Sequence, residues 1–544
     1  MVGAQRVSSF IAAVVGVHPS RADAALVRNH GRRQNCGWAR SCAVLGFIAI
    51  CGSAAGCAVG PDYQPPDPPM PQSFAAAPLA KDVAKSGGRA VDPANWWRSL
   101  HDQELNSLIE RAIAASPTLE IALDRLQQAR AQEAVVIGAA LPSVEGSAGG
   151  GWGTGSDLAR GRAAQTLVSG ENGTGVAQVV NISGFDAVWE IDVFGKFRRA
   201  IEAAQYDIDA AIAARSMVLI SLIADVTRAY LDLRAFQMQL AVLRKNIEVA
   251  QHYLDFVQER FSRGITNELD VTLAQRELAR LQAQVAPLTA QIDAARFVIA
   301  TLIGEFPEKL GKELTKPGTL PPLPGRIQPG LPIGLLLRRP DIVEAERELA
   351  SATAAIGVVT ADLLPQVAAT AGVAYQQGVG GIPINPIWSV GPAIAAPLLD
   401  FGRLDAIVEK ADYRARELLF NYKQTVLNAV REVDTAAAAY AAQADRLRHL
   451  DDAVAAAKRA VSVAQQRFDR GVTDSLNVID AQRQLYVLEQ EYVVAQANAA
   501  EQFVTLYKSL GGGWEDYQSL PPIPAPLPAI AAAFKRLWVH DAAP

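Results

Sequence analysis

Two stretches of this chain, RFSRGITNELDVTLAQREL (260–278) and RFDRGVTDSLNVIDAQRQL (467–485), are near copies 207 positions apart. The same spacing links Gly195 with Gly402, Gly264 with Gly471, Gln275 with Gln482, and Gly304 with Gly511. Upstream, SPTLEIALDRLQQARAQEAVVIGAALPSV (116–144) aligns with RPDIVEAERELASATAAIGVVTADLLPQV (339–367) at an offset of 223, so the first copy carries 16 extra residues between Pro142 and Gly195. A duplicated chain builds one body from two like halves, and this constrains the fold more than length or composition does. The first repeat covers 92–304 and the second 339–511, with a Pro/Gly-rich connector (305–338) between them and a Pro-rich tail (512–544) behind.

Each repeat reads as helices, a β-hairpin, a very long helix and a returning helix. Leu105, Leu108, Ile109, Ala112 and Ile113 recur every three or four residues, which predicts an amphipathic helix. A second helix runs from Pro117, a favourable first-turn residue, to about Ala140. In FDAVWEIDV, Phe185, Ala187, Trp189, Ile191 and Val193 share one face and acids occupy the other, except for Val188. That period of two predicts a strand with one wet face. In the second copy Trp388, Val390, Ile394 and Ala396 share a face, so hairpins are expected over 142–194 and 365–400. Residues 196–263 and 403–470 contain no Gly or Pro. At about 1.5 Å per residue each predicts a helix roughly 100 Å long. Gly264 and Gly471 are placed to end them in the left-handed cap conformation. Returning helices follow over 267–303, kinked by Pro287, and over 474–509.

Composition excludes several functions. The net charge is −5, and because the first 56 residues hold six Arg against one acid, residues 57–544 carry −10, a poor match to nucleic acid. All four cysteines lie within the first 57 residues and the six histidines are scattered, so neither a disulfide scaffold nor a metal site is expected in the body. GWGTGS (151–156) lacks the strand–loop–Lys context of a phosphate loop and reads as a strand or outer loop. No nucleophile–base arrangement suggests an envelope hydrolase, so no catalytic residue and no cofactor is expected.

The N-terminus reads as a signal peptide, 1–56, with a basic run, an apolar run CAVLGFIAIC (42–51) too short to span as an ordinary helix, and then SAAGC. Small residues before a cysteine resemble a bacterial lipobox, which makes Cys57 the residue that carries lipid; an ordinary signal with an incidental cysteine is the alternative. A leader of 56 residues is long, and translation is expected to start near Val27. Ala58 stands where an Asp would signal inner-membrane retention. Residues 57–91 then read as a lipidated, Pro-rich extended tether.

Four strands cannot form a stable sheet in lipid alone, because their edges are left unsatisfied, and no 18-residue apolar run is evident after the leader. The strands must therefore close with those of other chains, eight in a dimer or twelve in a trimer, and the larger number leaves a channel. The long helices continue directly from the strands and extend the tube.

With these elements in order, the chain resembles the TolC/OprM-like outer-membrane factors, in the NodT/OprM branch of lipoproteins. LLLRRPDIVEAERELASATAAIG, RFDRGVTDSLNVIDAQRQL and LYKSLGGGW (506–514) carry the resemblance, which covers about 92–514. It implies a mainly α fold with a membrane β-barrel part: a homotrimer forming a 12-stranded barrel, a periplasmic α-helical barrel and an equatorial belt around the connectors. It implies an exit channel of a tripartite efflux or secretion system in the outer membrane, with a periplasmic adaptor (membrane fusion protein) and an inner-membrane transporter of the resistance-nodulation-division (RND) class as partners. A non-channel coiled-coil scaffold or adhesin is the competing reading; it has no need for alternating strands at the helix starts.

Leu476 and Asp480 are four apart and share a helix face. The resemblance makes them the gate, an apolar plug and an acidic band favouring cations; pairing of Asp480 with Arg483 is the structural alternative. The first copy has Leu269 and Leu273 at the matching positions. The resemblance likewise makes Arg260, Arg263, Gly264, Arg467, Arg470 and Gly471 the adaptor-docking tips, where helix capping is the plain alternative. Trp189 and Trp388 are expected either at the lipid interface or packed between strands.

Overall fold

The computed structural model describes residues 58–76, 91–153, 178–310, 313–324, 332–378, 385–473 and 475–517. The leader, Cys57 and most of the tail lie outside them, as does much of the first hairpin's loop. After a short 3-10 turn, Pro93–Leu100, come α1 (Gln103–Ala115), α2 (Pro117–Ala139), β1 (Ser143–Gly153), β2 (Gln178–Ile191), α3 (Lys196–Ser262), α4 (Glu268–Gln282) and α5 (Val285–Leu302). The second repeat gives α6 (Leu335–Arg338), α7 (Pro340–Ala361), β3 (Gln366–Gly378), β4 (Asn385–Ala395), α8 (Arg403–Asp469) and α9 (Ser475–Ser509).

The strands form one antiparallel sheet in the order β1-β2-β3-β4, so each hairpin comes from one repeat and the β2–β3 seam joins the repeats. The register aligns Phe185, Val373 and Trp388 across the sheet, and Ala187, Ala371 and Val390 one step along. Phe185, Trp388, Val390 and Ile394 on this face are exposed. On the opposite face Asp186 and Ser389 flank Gly372. Among the described residues one face is apolar and bare, the other polar, and the outer edges of β1 and β4 are unpaired.

Long helices α3 and α8 each run 67 residues. At the strand end the packing order is α2, α3, α7, α8; at the other end α4, α5 and α9 return against α3, and α9 lies along α8. Between the ends sits the main core, where Trp96, Trp97, Tyr230, Ile299, Tyr440, Phe503 and Tyr507 converge from both repeats. Trp96 stacks on Tyr507 with centroids 5.9 Å apart.

Two expectations need correction, and two connecting segments prove partly buried. Pro287 sits within α5, and the break falls at 283–284, one turn earlier. The reason is that a proline ring clashes with the carbonyl four residues before it, here that of Ala283. The matching position in the unbroken α9 is Val494. In the connector, Leu310 and Leu314 are buried in the main core. Gly511, the last residue of the second repeat, and Gly512 and Gly513, the first of the tail's described residues, are likewise buried. Finally, α3 holds an 18-residue window of mean hydropathy 1.7, and Glu268–Leu302 one of 1.2, so among the described residues two helical stretches are apolar enough to cross a membrane by length and composition. In α3 the apolar residues serve the core, since 56% of that window is buried within the protomer.

Candidate functional site

At the turn end each long helix stops at a glycine with positive φ, 70° at Gly264 and 69° at Gly471. The same pair of hydrogen bonds closes both turns: Ile265 N–H donates to the Arg260 carbonyl and Val472 N–H to that of Arg467, each at 2.9 Å. This Schellman-type closure needs the left-handed conformation that glycine adopts without steric cost. Tyr253, Leu254, Val257, Ala274, Leu278, Phe468, Val478 and Ile479 form a small core that fuses the two turns.

The six docking candidates lie on these turns but differ in availability. Arg260 is withdrawn: its guanidinium lies 5.1 Å from the Phe468 ring centroid and 5.7 Å from that of Phe256. Such cation–π contacts hold the side chain against the turn core. Arg263 is exposed and bonded to Glu259. The residue matching Glu259 in the second copy is Gln466, and Arg467 and Arg470 are exposed with no ion pair among the described residues.

The gate candidates sit just beyond. Val478 and Ile479 are buried in the turn core, which turns Asp480 and Leu476 (58% exposed) to the opposite, open face of α9. No pairing of Asp480 with Arg483 occurs among the described residues. In the first copy Leu269 is exposed, while Leu273 packs against the turn core. One helical step further, Tyr486 donates to Gln284 at 2.6 Å and Arg280 bonds to Glu277. That hydrogen bond holds the Glu277 carboxyl below its ordinary value.

The strand end holds features that the local sequence pattern did not reveal. Val59 N–H donates to the Phe194 carbonyl at 3.0 Å, and Gly60 approaches Gly357 so closely that a β-carbon there would lie 2.4 Å from its Cα. Arg199, buried, bonds Asp62 at 2.5 Å and Glu202 at 2.8 Å. Tyr63 donates to Glu346 at 2.5 Å, and Ala76 N–H to Asp434 at 2.9 Å. Over residues 58–76 the tether is extended, as its prolines require, and it is a strap pinned at Val59, Asp62, Tyr63 and Ala76. Trp189 donates to the Ala140 carbonyl at 3.1 Å, so it packs on the end of α2, whereas Trp388 stands 72% exposed on the apolar face. A second buried arginine, Arg339, bonds Asp341 at 2.6 Å, Glu432 at 2.9 Å and the Ser509 carbonyl at 2.8 Å. The RRPD motif was its only local signal. Among the described residues no group of three or more His, Cys, Asp or Glu could hold a metal.

A sheet bare and apolar on one face, polar on the other, and continued end-on by paired long helices is one stave of a membrane channel that reaches into the adjoining aqueous space. The chain belongs to the outer membrane efflux protein family, whose model matches residues 108–305 and 331–512. It is 29% identical over 490 residues to Nodulation protein T of Rhizobium leguminosarum bv. viciae, covering 89% of this chain and 96% of that protein. It is 31% identical to the pyoverdine export outer membrane protein OpmQ of Pseudomonas putida, covering 82% of this chain and 94% of that one. Among solved structures, the outer-membrane channel OprN matches with a TM-score of 0.75 at 33% identity, over 85% of this chain and all of that one. The open state of the Neisseria gonorrhoeae MtrE channel matches with a TM-score of 0.68 at 26% identity, over 85% of this chain and 100% of that chain. The protein is an outer-membrane efflux channel extending into the periplasm.

Proposed function

We propose that three copies close edge to edge into a 12-stranded barrel continued by a periplasmic helical barrel, and that this homotrimer passively conducts cargo delivered by an inner-membrane pump of the RND class through a periplasmic adaptor. The observation that carries this reading is that the two layers end at the same edges. Among the described residues β1 and β4 each have a strand on one side alone, α2 packs chiefly on α3, and α8 meets α7 and not α3 or α2 in any major contact. One rotation that pairs β4 with the next β1 also brings α8 to the next α2. Closure leaves every backbone group of the sheet paired, which lipid demands.

Cys57 carries the lipid in this reading. The strap supports it: Ala58 and Val59 are fixed at the junction of β2 and α3, so acyl chains on the preceding residue reach the periplasmic leaflet. At the far end Leu476 and Asp480, open on each protomer, form an apolar ring and an acidic ring under threefold symmetry. Arg263, Gly264, Arg467, Arg470 and Gly471 present the adaptor-docking surface, with Arg260 bracing it from behind.

Planar-bilayer recording tests the reading. Asp480→Ala is expected to raise conductance or weaken cation preference. An unchanged record on both counts removes Asp480 from the gate. A purified trimer that never conducts, even with Leu476 and Asp480 both replaced by Ala, removes the duct. Mass spectrometry of the mature protein is expected to show acylation that Cys57→Ala abolishes.

A further inference from the structure

The two strand-to-helix junctions of one protomer are copies of each other, finished in different ways. At the first, residues 191–196, the strap lies over Phe194 and Gly195, and Lys196 Nζ bonds Asp362 at the end of α7 at 2.8 Å. At the 207-residue offset the second junction is Leu398 to Arg403. Here Leu398, Leu399 and Phe401 are 95%, 76% and 91% exposed. The turn is nonetheless firmly built: Asp400 accepts from Gly402 N–H at 3.1 Å and Leu404 N–H at 2.8 Å, and Phe401 is held at φ 56°. A rigid turn that displays three large apolar side chains to water is built to be covered.

The repeat indicates what covers it. The first junction rests on the end of α7, and the helix matching α7 is α2, at an offset of 223. Within one chain α2 lies at the opposite edge, beyond α3. Trp189 and Ile201 cover one side of its end, and the other side is bare: Val135, Gly138 and Ala139 are exposed, and a β-carbon on Gly138 would meet nothing within 4 Å. Along the same edge as the turn, α8 exposes Tyr413, Phe420 and Leu427. They recur every seven residues, the spacing of a seam for a partner helix and not of a lipid-facing surface.

We infer that the Leu398–Arg403 turn of one protomer seats on the C-terminal end of α2 of the next, repeating between chains the contact that Lys196 and Asp362 make within one. Arg403 takes the place of Lys196 and Ala139 that of Asp362, so the ion pair is absent and Leu398, Leu399 and Phe401 supply the hold. The inference rests on the closed ring of three proposed above.

The sequence contains no cysteine after Cys57, which makes the test direct. In the chain carrying both Ala139→Cys and Arg403→Cys, a short bismaleimide is expected to give covalent dimers and trimers, absent from either single variant. A protein that is trimeric by native mass yet yields no intermolecular product overturns the seat and leaves the ring standing. An unaltered protein that is not trimeric overturns both. Ala139→Asp restores a carboxylate opposite Arg403 and is expected to raise the temperature at which the trimer dissociates in SDS, while Phe401→Asp lowers it. If neither variant moves that temperature, the turn faces lipid or water and the inference fails.

Discussion

Helices α3 and α8 are the same length, start at matched glycines and end in matched turns, yet they do different work. α3 buries 25 of its residues within the protomer and α8 buries 11. Position by position the contrast is sharper: Ile220 is 1% exposed, and its match Leu427 is 65% exposed. Ala213, buried, matches Phe420, exposed. The first copy supplies the interior of the stave and the second supplies its free edge. Duplication gave two equal frames, and in the proposed trimer the side chains divide folding from assembly between them.

The largest expected effect that sharpens this comparison concerns Arg339, which ties α7, α8 and the end of α9 together; the first copy has Ser116 at that position. Arg339→Leu leaves Asp341 and Glu432 without their cation and is expected to destabilise the protein by about 3–5 kcal/mol, read by denaturant unfolding. Next, Ile220→Ala is expected to cost about 2–5 kcal/mol of protomer stability, as core truncations do. Leu427→Ala is expected to leave the protomer's unfolding nearly unchanged while weakening the trimer. Equal losses of protomer stability would break the division between the helices. At the turn end, Arg260→Ala removes two ring contacts and is expected to cost about 1–2 kcal/mol locally, measured by hydrogen exchange of the turn. Arg467→Ala is expected to leave that exchange unaltered. The smallest effect concerns Glu344 on α7, whose carboxyl is pushed up to about 7, first by burial and then by Glu348 and Asp341. A carboxyl that holds its proton more tightly when folded loses stability as pH rises from its ordinary 4.5 through about 7. Glu344→Gln should flatten that decline, by about 1 kcal/mol once solvent screening of a partly open site is allowed for. Denaturation midpoints at pH 5 and pH 8, on the same two proteins, would check it.

What was legible in the sequence was whatever repeats locally. Alternation over 185–193 marked β2, and the Gly- and Pro-free runs gave the long helices to within one residue at their ends. Gly264 and Gly471 marked the turns because a positive φ restricts residue choice at the position itself. The strap clamp was not legible, because Arg199 meets Asp62 across 137 residues and no local pattern records such a meeting. The same holds for Arg234, which bonds Glu104, Gln237 and the Lys316 carbonyl. At the candidate site the face shared by Leu476 and Asp480 followed from helical spacing. The withdrawal of Arg260 did not, since the shorter of its two ring contacts is with Phe468, a residue of the other repeat.

The β2–β3 seam bears on how the molecule can be made. It pairs Val180 with Gly378, 198 positions apart, whereas each flanking hairpin pairs residues close in the chain. Closing so wide a loop between free strands is slow and entropically costly. Helices that have already packed bring the two hairpins together and remove most of that search. Packing the helical body before the seam zips is therefore the order of assembly with the lowest loop-closure cost for this chain.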